Sequence, residues 1–160
     1  DAHWSRIIGL SFQTEPEQMP FDAMMRASPS FLPERVFFVC LGDEPVATTS
    51  AWYLPEITPD AGTIHYVGTL PGHTGKRLGY WAVVAALHRM AAEGRQRAWL
   101  STDDVRLPAI KVYLHLGFVP LLVHENQRER WPAVFATLGL PQLTAQFAEI
   151  LHGPIWKKPE

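Results

Sequence analysis

The segment Pro71-Gly-His-Thr-Gly-Lys-Arg-Leu-Gly79 follows a β-branched and aromatic run that starts at Thr63, and an apolar-periodic stretch comes directly after it. A strand that delivers the backbone into such a turn just ahead of a helix leaves main-chain N–H groups, here from Thr74 to Gly79, without carbonyl partners of their own. Reinforced by the positive end of the helix dipole, those donors suit a phosphate or a diphosphate. Glycine spacing narrows the choice of ligand. A nucleotide P-loop needs Gly, four residues, then Gly-Lys-Ser/Thr; counting back from Gly75-Lys76 puts Leu70 at the first glycine and Arg77 at the magnesium-binding hydroxyl. Gly72, Gly75 and Gly79 are spaced three and four apart, whereas the dinucleotide fingerprint needs two and three. A different diphosphate carrier is required.

Proton chemistry has fewer candidates. His65 interrupts an otherwise apolar and aromatic strand upstream of the turn, and an imidazole of ordinary pKa, ~6.5, suits proton removal near neutrality. Asp103 and Asp104 stand side by side at a strand end, where such residues commonly cap a turn. Tyr113 shares a helix face with Ala109, Val112 and Leu116, and periodicity alone reads it as a core tyrosine. His73 is expected to be exposed in the turn, and His88 and His115 to lie on helix surfaces. Cys40 is the one cysteine; within Val36-Phe-Phe-Val-Cys-Leu41 it reads as a buried, inert thiol. No His, Cys or acidic cluster has zinc-ligand spacing, so no metal is expected.

These residues need elements to hold them. Trp4, Ile7, Ile8, Ser11 and Phe12 fall at helical spacing over residues 3–12, and Glu15-Pro16-Glu17 interrupts before a short second helix over 21–27. Two strands are predicted at 35–41 and 45–54, joined by the hairpin turn Gly42-Asp43-Glu44. A proline-bearing loop over 55–61 leads to a third strand at 62–69. After the glycine turn, Val83, Val84, Leu87, Met90 and Ala91 mark an amphipathic helix that Gly94 ends. A short strand at 98–102 follows, then a helix from Pro108 to Gly117, a strand at 118–124, and terminal helices at 128–138 and 143–151. An antiparallel start followed by strand, helix, strand, helix, strand defines an α/β fold, an α-β-α sandwich whose mixed, mostly antiparallel central sheet is flanked by helices.

Bulk properties bound the function. At 160 residues and 47% hydrophobic the chain suits one domain with a real core, in which 1–34 forms a helical segment, 35–124 the core and 125–160 a C-terminal helical segment. A formal charge of −2 and the lack of a long basic run argue against nucleic acid as partner. No apolar run is long enough to read as a membrane span, and no signal peptide is read near the start. A lone cysteine agrees with a reducing, cytoplasmic setting. The chain starts at Asp1 without methionine, which leaves room for an upstream segment such as a first strand.

Element order and two local motifs together resemble the GNAT N-acetyltransferase superfamily over residues 35–123. The first motif is Pro71-Gly-His-Thr-Gly-Lys-Arg-Leu-Gly79, similar to the family's Gln/Arg-x-x-Gly-x-Gly/Ala turn, with Thr74 at the Gln/Arg position and Arg77 at a glycine. The second runs from Leu100 to Phe118, with Ala109, Tyr113, Gly117 and Phe118 at the spacing of the family's Ala-x-x-x-Tyr-x-x-x-Gly-Phe. The resemblance implies acetyl-CoA as co-substrate, its diphosphate held by Thr74, Gly75, Lys76, Arg77, Leu78 and Gly79. It implies a pantetheine arm along Val67, Gly68 and Thr69, and further cofactor contacts at Asp103 and Ala109. Tyr113 becomes the expected general acid, since a phenol of pKa ~10 keeps its proton at neutral pH. His65 is the expected base, directly or through water; Glu56, Asp103 and a water chain are the alternatives. The acceptor, a small-molecule or peptide amine, is expected between residues 12–33 and 125–131, where Met19, Phe21, Met24, Met25, Phe31 and Trp131 are apolar enough to line a pocket. The expected protein is a monomer or homodimer that transfers acetyl directly to an amine. The competing reading on the same fold is a catalytically silent acyl-CoA sensor or interaction module. At Arg77 the turn needs a conformation that glycine adopts more freely than arginine.

Overall fold

The computed structural model describes residues 1–158, which group into two units, one spanning Asp1–Leu100 and the other beginning at Ser101. In the first unit, helix α1 (Ala2–Ser11) presents Trp4, Ile7 and Ile8, all fully buried. The expected second helix is a single π-helical turn, Asp22–Arg26. Strand β1 (Val36–Leu41) pairs antiparallel with β2 (Glu44–Trp52) across a two-residue turn in which Gly42 takes φ +60°, the left-handed conformation that short hairpin loops demand. β2 pairs antiparallel with β3 (Ala61–Thr69), and β3 pairs parallel with β4 (Arg97–Trp99), so the order is β1-β2-β3-β4 and the sheet is mixed.

The crossover from β3 to β4 is helix α2 (Leu78–Ala92), ended by Glu93 and by Gly94 at φ +78°. The N–H groups of Gly94 and Arg95 close on Ala91 and Met90, which satisfies carbonyls the last turn would leave open. Helices α1 and α2 take opposite faces of the sheet. A Cβ on Gly62 would lie 2.5 Å from Met90 Sδ of α2, and one on Gly68 would lie 2.6 Å from Ser11 Oγ and 2.8 Å from Ile8 Cδ1 of α1. On the α1 side, Trp4, Ile8, Met19, Phe21, Met25 and Trp52 form one buried cluster, in which Trp4 meets Phe21 and Tyr66 edge to face. Each of these large side chains gives about 1.5–3 kcal/mol on burial, which fixes α1 over the middle of β3.

Two expectations change here. Cys40 is exposed, because β1 is the outer strand of the sheet and the apolar run around it is only half covered. β4 spans three residues, Arg97–Trp99, in place of 98–102.

The second unit is helical: α3 (Leu107–His115), α4 (Gln127–Thr137), α5 (Leu143–Gln146) and α6 (Ala148–Leu151). Leu122, Phe135 and Leu151 are its buried centre, with Leu114, Trp131, Leu143 and Phe147 packed around them. Gly117 at φ +89° ends α3, as the sequence expects. Residues 118–124 form no strand. They keep the alternation that suggests one, with Pro120 and Leu122 buried and Val119, Leu121 and Val123 exposed. A ladder, however, needs a partner and a donor at every second residue, and proline has no N–H to give. Its backbone bonds include Phe118 N–H to the Tyr113 carbonyl of α3, 3.0 Å, and Trp156 N–H to the Leu122 carbonyl, 2.7 Å, neither of them part of a ladder.

Candidate active site

β3 ends at Thr69, and its last carbonyls and amides hand over to a short 3-10 turn, Pro71–His73, before α2 begins. The Leu70 amide is tied to the Val46 carbonyl at 2.9 Å and His73 to Leu70 at 2.8 Å, so the entry to the turn is anchored on the sheet. From Thr74 to Arg77 the chain is exposed. Gly75 takes φ +77° and Arg77 φ +60°, ψ 17°. An arginine in the left-handed region costs on the order of 1–3 kcal/mol; the structure places it where the related motif has glycine. The first intrahelical bond of α2 runs from Trp81 N–H to the Arg77 carbonyl, and no side chain caps the helix start. The Leu78 and Gly79 amides at the head of the helix therefore have no intrahelical acceptor. Added Cβ atoms at Gly72 and Gly75 meet nothing within 4 Å, so a bulky anion can approach this backbone. Lys76 and Arg77 place two exposed cations beside it. His73 is half-buried, with its Nδ1 sealed and unpartnered.

Upstream, β3 is built to expose main chain. Thr63 is its last residue paired with β4, so from Ile64 to Thr69 that edge has no ladder partner among the described residues. On the other edge the register with β2 jumps, from Ser50↔His65 to Thr48↔Gly68. Tyr66 and Val67 together oppose Thr49, a β-bulge, and Tyr66 takes φ +50°. Bulges re-aim side chains and interrupt pairing, and they recur next to active sites. Val67, Gly68 and Thr69 thus lie on the unpaired edge that runs from the bulge to the turn, with Gly68 buried and its neighbours half-buried, where the resemblance implies the pantetheine arm.

His65 lies on the α1 face. Its ring stacks on Trp52 with centroids 4.7 Å apart and meets Tyr66 edge to face at 4.2 Å. Burial pushes the imidazole down to about 4, because desolvation penalises the protonated form and no counter-charge among the described residues offsets it. At neutral pH the ring is uncharged and able to accept a proton, though weakly. Burial also raises the neighbouring Tyr66 phenol. A cleft of about 450 Å³ opens beyond the end of β2, lined by Ser28, Ser30, Leu32, Arg35, Tyr53 and Glu56 among others. Ser30 Oγ donates to the Tyr53 carbonyl, which ties the loop after the π-helical turn to the end of β2. Of the apolar residues expected at the acceptor side, Met19, Phe21 and Met25 are buried in the α1 cluster, and Met24 is exposed. The sequence reading missed the bulge, Arg35 and Ser30; none carries a local signal, since Tyr66 looks like an ordinary strand residue and Arg35 like an ordinary residue at a strand start.

Tyr113, Asp103 and Ala109 belong to the second unit. Tyr113 is buried and stands edge to face with Phe118 at 6.0 Å. Burial pushes its phenol up to about 12, against a smaller opposing pull from Arg106. Asp103 accepts from Arg106 at 3.0 Å, and Asp104 holds Arg130 through both carboxylate oxygens at 2.7 and 2.9 Å. The aspartate pair is therefore spoken for by arginines. Ala109 N–H bonds the Arg106 carbonyl in the first turn of α3. Trp131 packs in the C-terminal core, and Glu56 lies on the rim of the cleft, exposed.

The architecture is α/β: a mixed four-stranded sheet whose third strand bulges, loses its partner on one edge and runs into an uncapped helix start. The family model for the acetyltransferase (GNAT) family matches residues 4–118, and the chain belongs to that family. It is 31% identical over 130 residues to a mycothiol acetyltransferase of Corynebacterium aurimucosum, covering 74% of this chain and 42% of that protein. It is 28% identical over 122 residues to the mycothiol acetyltransferase of Gordonia bronchialis, covering 74% and 40%. The chain thus spans well under half the length of these curated relatives. Among solved structures, an aminoglycoside acetyltransferase from an uncultured soil metagenomic sample superposes with a TM-score of 0.59 at 16% identity, covering 75% of this chain and 86% of that one; this likeness is one of fold. Among the described residues no helix is long and apolar enough to cross a membrane.

Proposed function

We propose that this chain is an acetyl-CoA-dependent N-acetyltransferase that moves an acetyl group to an amine by direct attack within a ternary complex. The observation that carries the reading is continuous along β3: a bulge at Tyr66–Val67, an unpaired edge to Thr69, then the open turn into the uncapped start of α2. The turn amides and Lys76 would hold the diphosphate, and the edge from Val67 to Thr69 the pantetheine arm. Neutral His65 accepts the proton of the attacking amine, and a backbone N–H near the bulge polarises the thioester carbonyl. Tyr113, protonated throughout the neutral range, donates to the departing thiolate, a role taken from the motif it completes. The acceptor is a small-molecule amine, a reading that the names of the curated relatives favour. Residues 1–160 act as one functional domain in this account. A thiol-release assay over a panel of amines tests it: release that needs both acetyl-CoA and an amine supports transfer, and release with no amine on the panel contradicts it.

A second reading has one observation in its favour. The depressed basicity of His65 also fits a protein that binds acyl-CoA without turnover. Stabilisation by acetyl-CoA against heat, without thiol release on any amine, would identify that case.

A further inference from the structure

Ser50 lies directly opposite His65 in the antiparallel register of β2 and β3, so both side chains project from the same face of the sheet. Stacking of His65 on Trp52, two residues along from Ser50, shows that this is the α1 face. Ser50 is fully buried. Its Oγ is sealed from solvent without a hydrogen-bond partner, and so is His65 Nδ1. His65 Nε2 is not among the sealed atoms. Two more sealed, unpartnered groups share the face, Thr63 Oγ1 and Trp99 Nε1, on residues that oppose each other in the β3–β4 pairing.

Nδ1 is closed off, so Nε2 is the nitrogen left to meet an acceptor amine. For Nε2 to take a proton it must be bare, so the neutral ring must carry its hydrogen on Nδ1. A buried Nδ1–H needs an acceptor beside it. Trp99 Nε1 is a donor and cannot serve. Thr63 is two residues along the same strand, about 6.7 Å away by strand rise. Ser50 is the directly opposed residue, with Cβ atoms about 4.5–5.5 Å apart, and its oxygen has no other partner.

We propose that Ser50 is the positioning residue that sets the tautomer of His65: its Oγ and Nδ1 make no direct bond, and one buried water joins them, accepting from Nδ1–H and donating to Oγ, which leaves Nε2 as the base. The inference rests on the acetyltransferase reading for its purpose. In the step itself, the amine lone pair forms the new N–C bond and Nε2 takes one proton from that nitrogen; collapse of the tetrahedral adduct breaks the thioester C–S bond, and the coenzyme A thiolate leaves with a proton from Tyr113, which solvent replaces. The imidazolium keeps Nδ1–H on the water held by Ser50, and Nε2 returns its proton to solvent after the amide leaves.

The test is ¹⁵N spectroscopy of the imidazoles in the whole chain, with the His65 signals assigned by their loss in His65→Gln. The wild type should show a protonated Nδ1 and a bare Nε2. Ser50→Ala should shift the ring toward the Nε2–H form and lower kcat about tenfold or more, while Ser50→Thr restores both and Thr63→Val leaves the tautomer unchanged. If Ser50→Ala does not fold, Ser50→Cys, near in size and a poor acceptor, replaces it. A wild-type Nε2–H ring, or an unchanged spectrum in Ser50→Ala, overturns the proposal. Full activity in His65→Gln would instead remove His65 as base, and the spectra would still decide whether Ser50 governs the ring.

Discussion

Gly62 and Gly68 lie six residues apart on one strand, yet they face opposite sides of the sheet: Gly62 abuts Met90 of α2, and Gly68 abuts Ser11 and Ile8 of α1. An even separation would put them on one face of a regular strand. The extra residue at Tyr66–Val67 inverts the pattern, and that inversion lets a side-chain-free strand slide under α1 just before the turn. The two glycines should tolerate a methyl group unequally. Gly62→Ala presses on a flexible thioether, whereas Gly68→Ala presses on two side chains of a buried helix. Urea unfolding should give a loss of about 1–3 kcal/mol for Gly68→Ala and less for Gly62→Ala; equal losses would contradict the packing described.

Much of this architecture can be read from the chain because its signals are local. Gly42, Gly94 and Gly117 punctuate where expected, each at positive φ, and the spacing of Trp4, Ile7 and Ile8 gives the buried face of α1. What escapes is non-local. The alternation at 118–124 reports one-sided burial, which a coil against a helical core satisfies as well as a strand does. Cys40 looks interior because its neighbours are apolar, but strand order decides its exposure, and no residue near it records that order. The bulge is least legible of all: Tyr66 takes φ +50°, where a tyrosine is not expected.

Arg77 stores strain at the head of α2. Replacing it with glycine removes the left-handed penalty but also frees the unfolded chain, so the net gain should be about 0.5–1 kcal/mol. If backbone amides carry the diphosphate, affinity for acetyl-CoA should fall by no more than about tenfold, the share of one exposed cation. Thermal melts with and without ligand separate the two effects.

Acid should find His65. Its folded value lies near 4, below the ordinary 6.5, so the unfolded chain binds the proton first. The stability that comes from keeping this ring neutral is present above 6.5 and is lost as pH falls through 4, by about 3 kcal/mol in all. His65→Gln should flatten that part of the stability curve, measured by urea midpoints from pH 7 to 4. An unaltered slope would contradict the buried, uncompensated environment.

Tyr113 gives the opposite limb. With its phenol held near 12, the unfolded chain loses the proton first, and stability should drop as pH rises from about 10 toward 12. Tyr113→Phe should lessen that drop. If the phenol is the proton donor, the same variant should lower kcat by at least about tenfold with little change in acetyl-CoA affinity. An unchanged kcat under chemistry-limited conditions would remove the assignment.

Diphosphate binding at the turn before α2 underlies the proposed activity, and a backbone-amide NMR titration with coenzyme A and, separately, with pantetheine reads its position directly. Coenzyme A should move the amide signals of Gly75 through Gly79 together with those of Val67 to Thr69, whereas pantetheine, which lacks the diphosphate, should move only the strand. Turn signals that stay still under saturating coenzyme A, with shifts confined elsewhere, would contradict it.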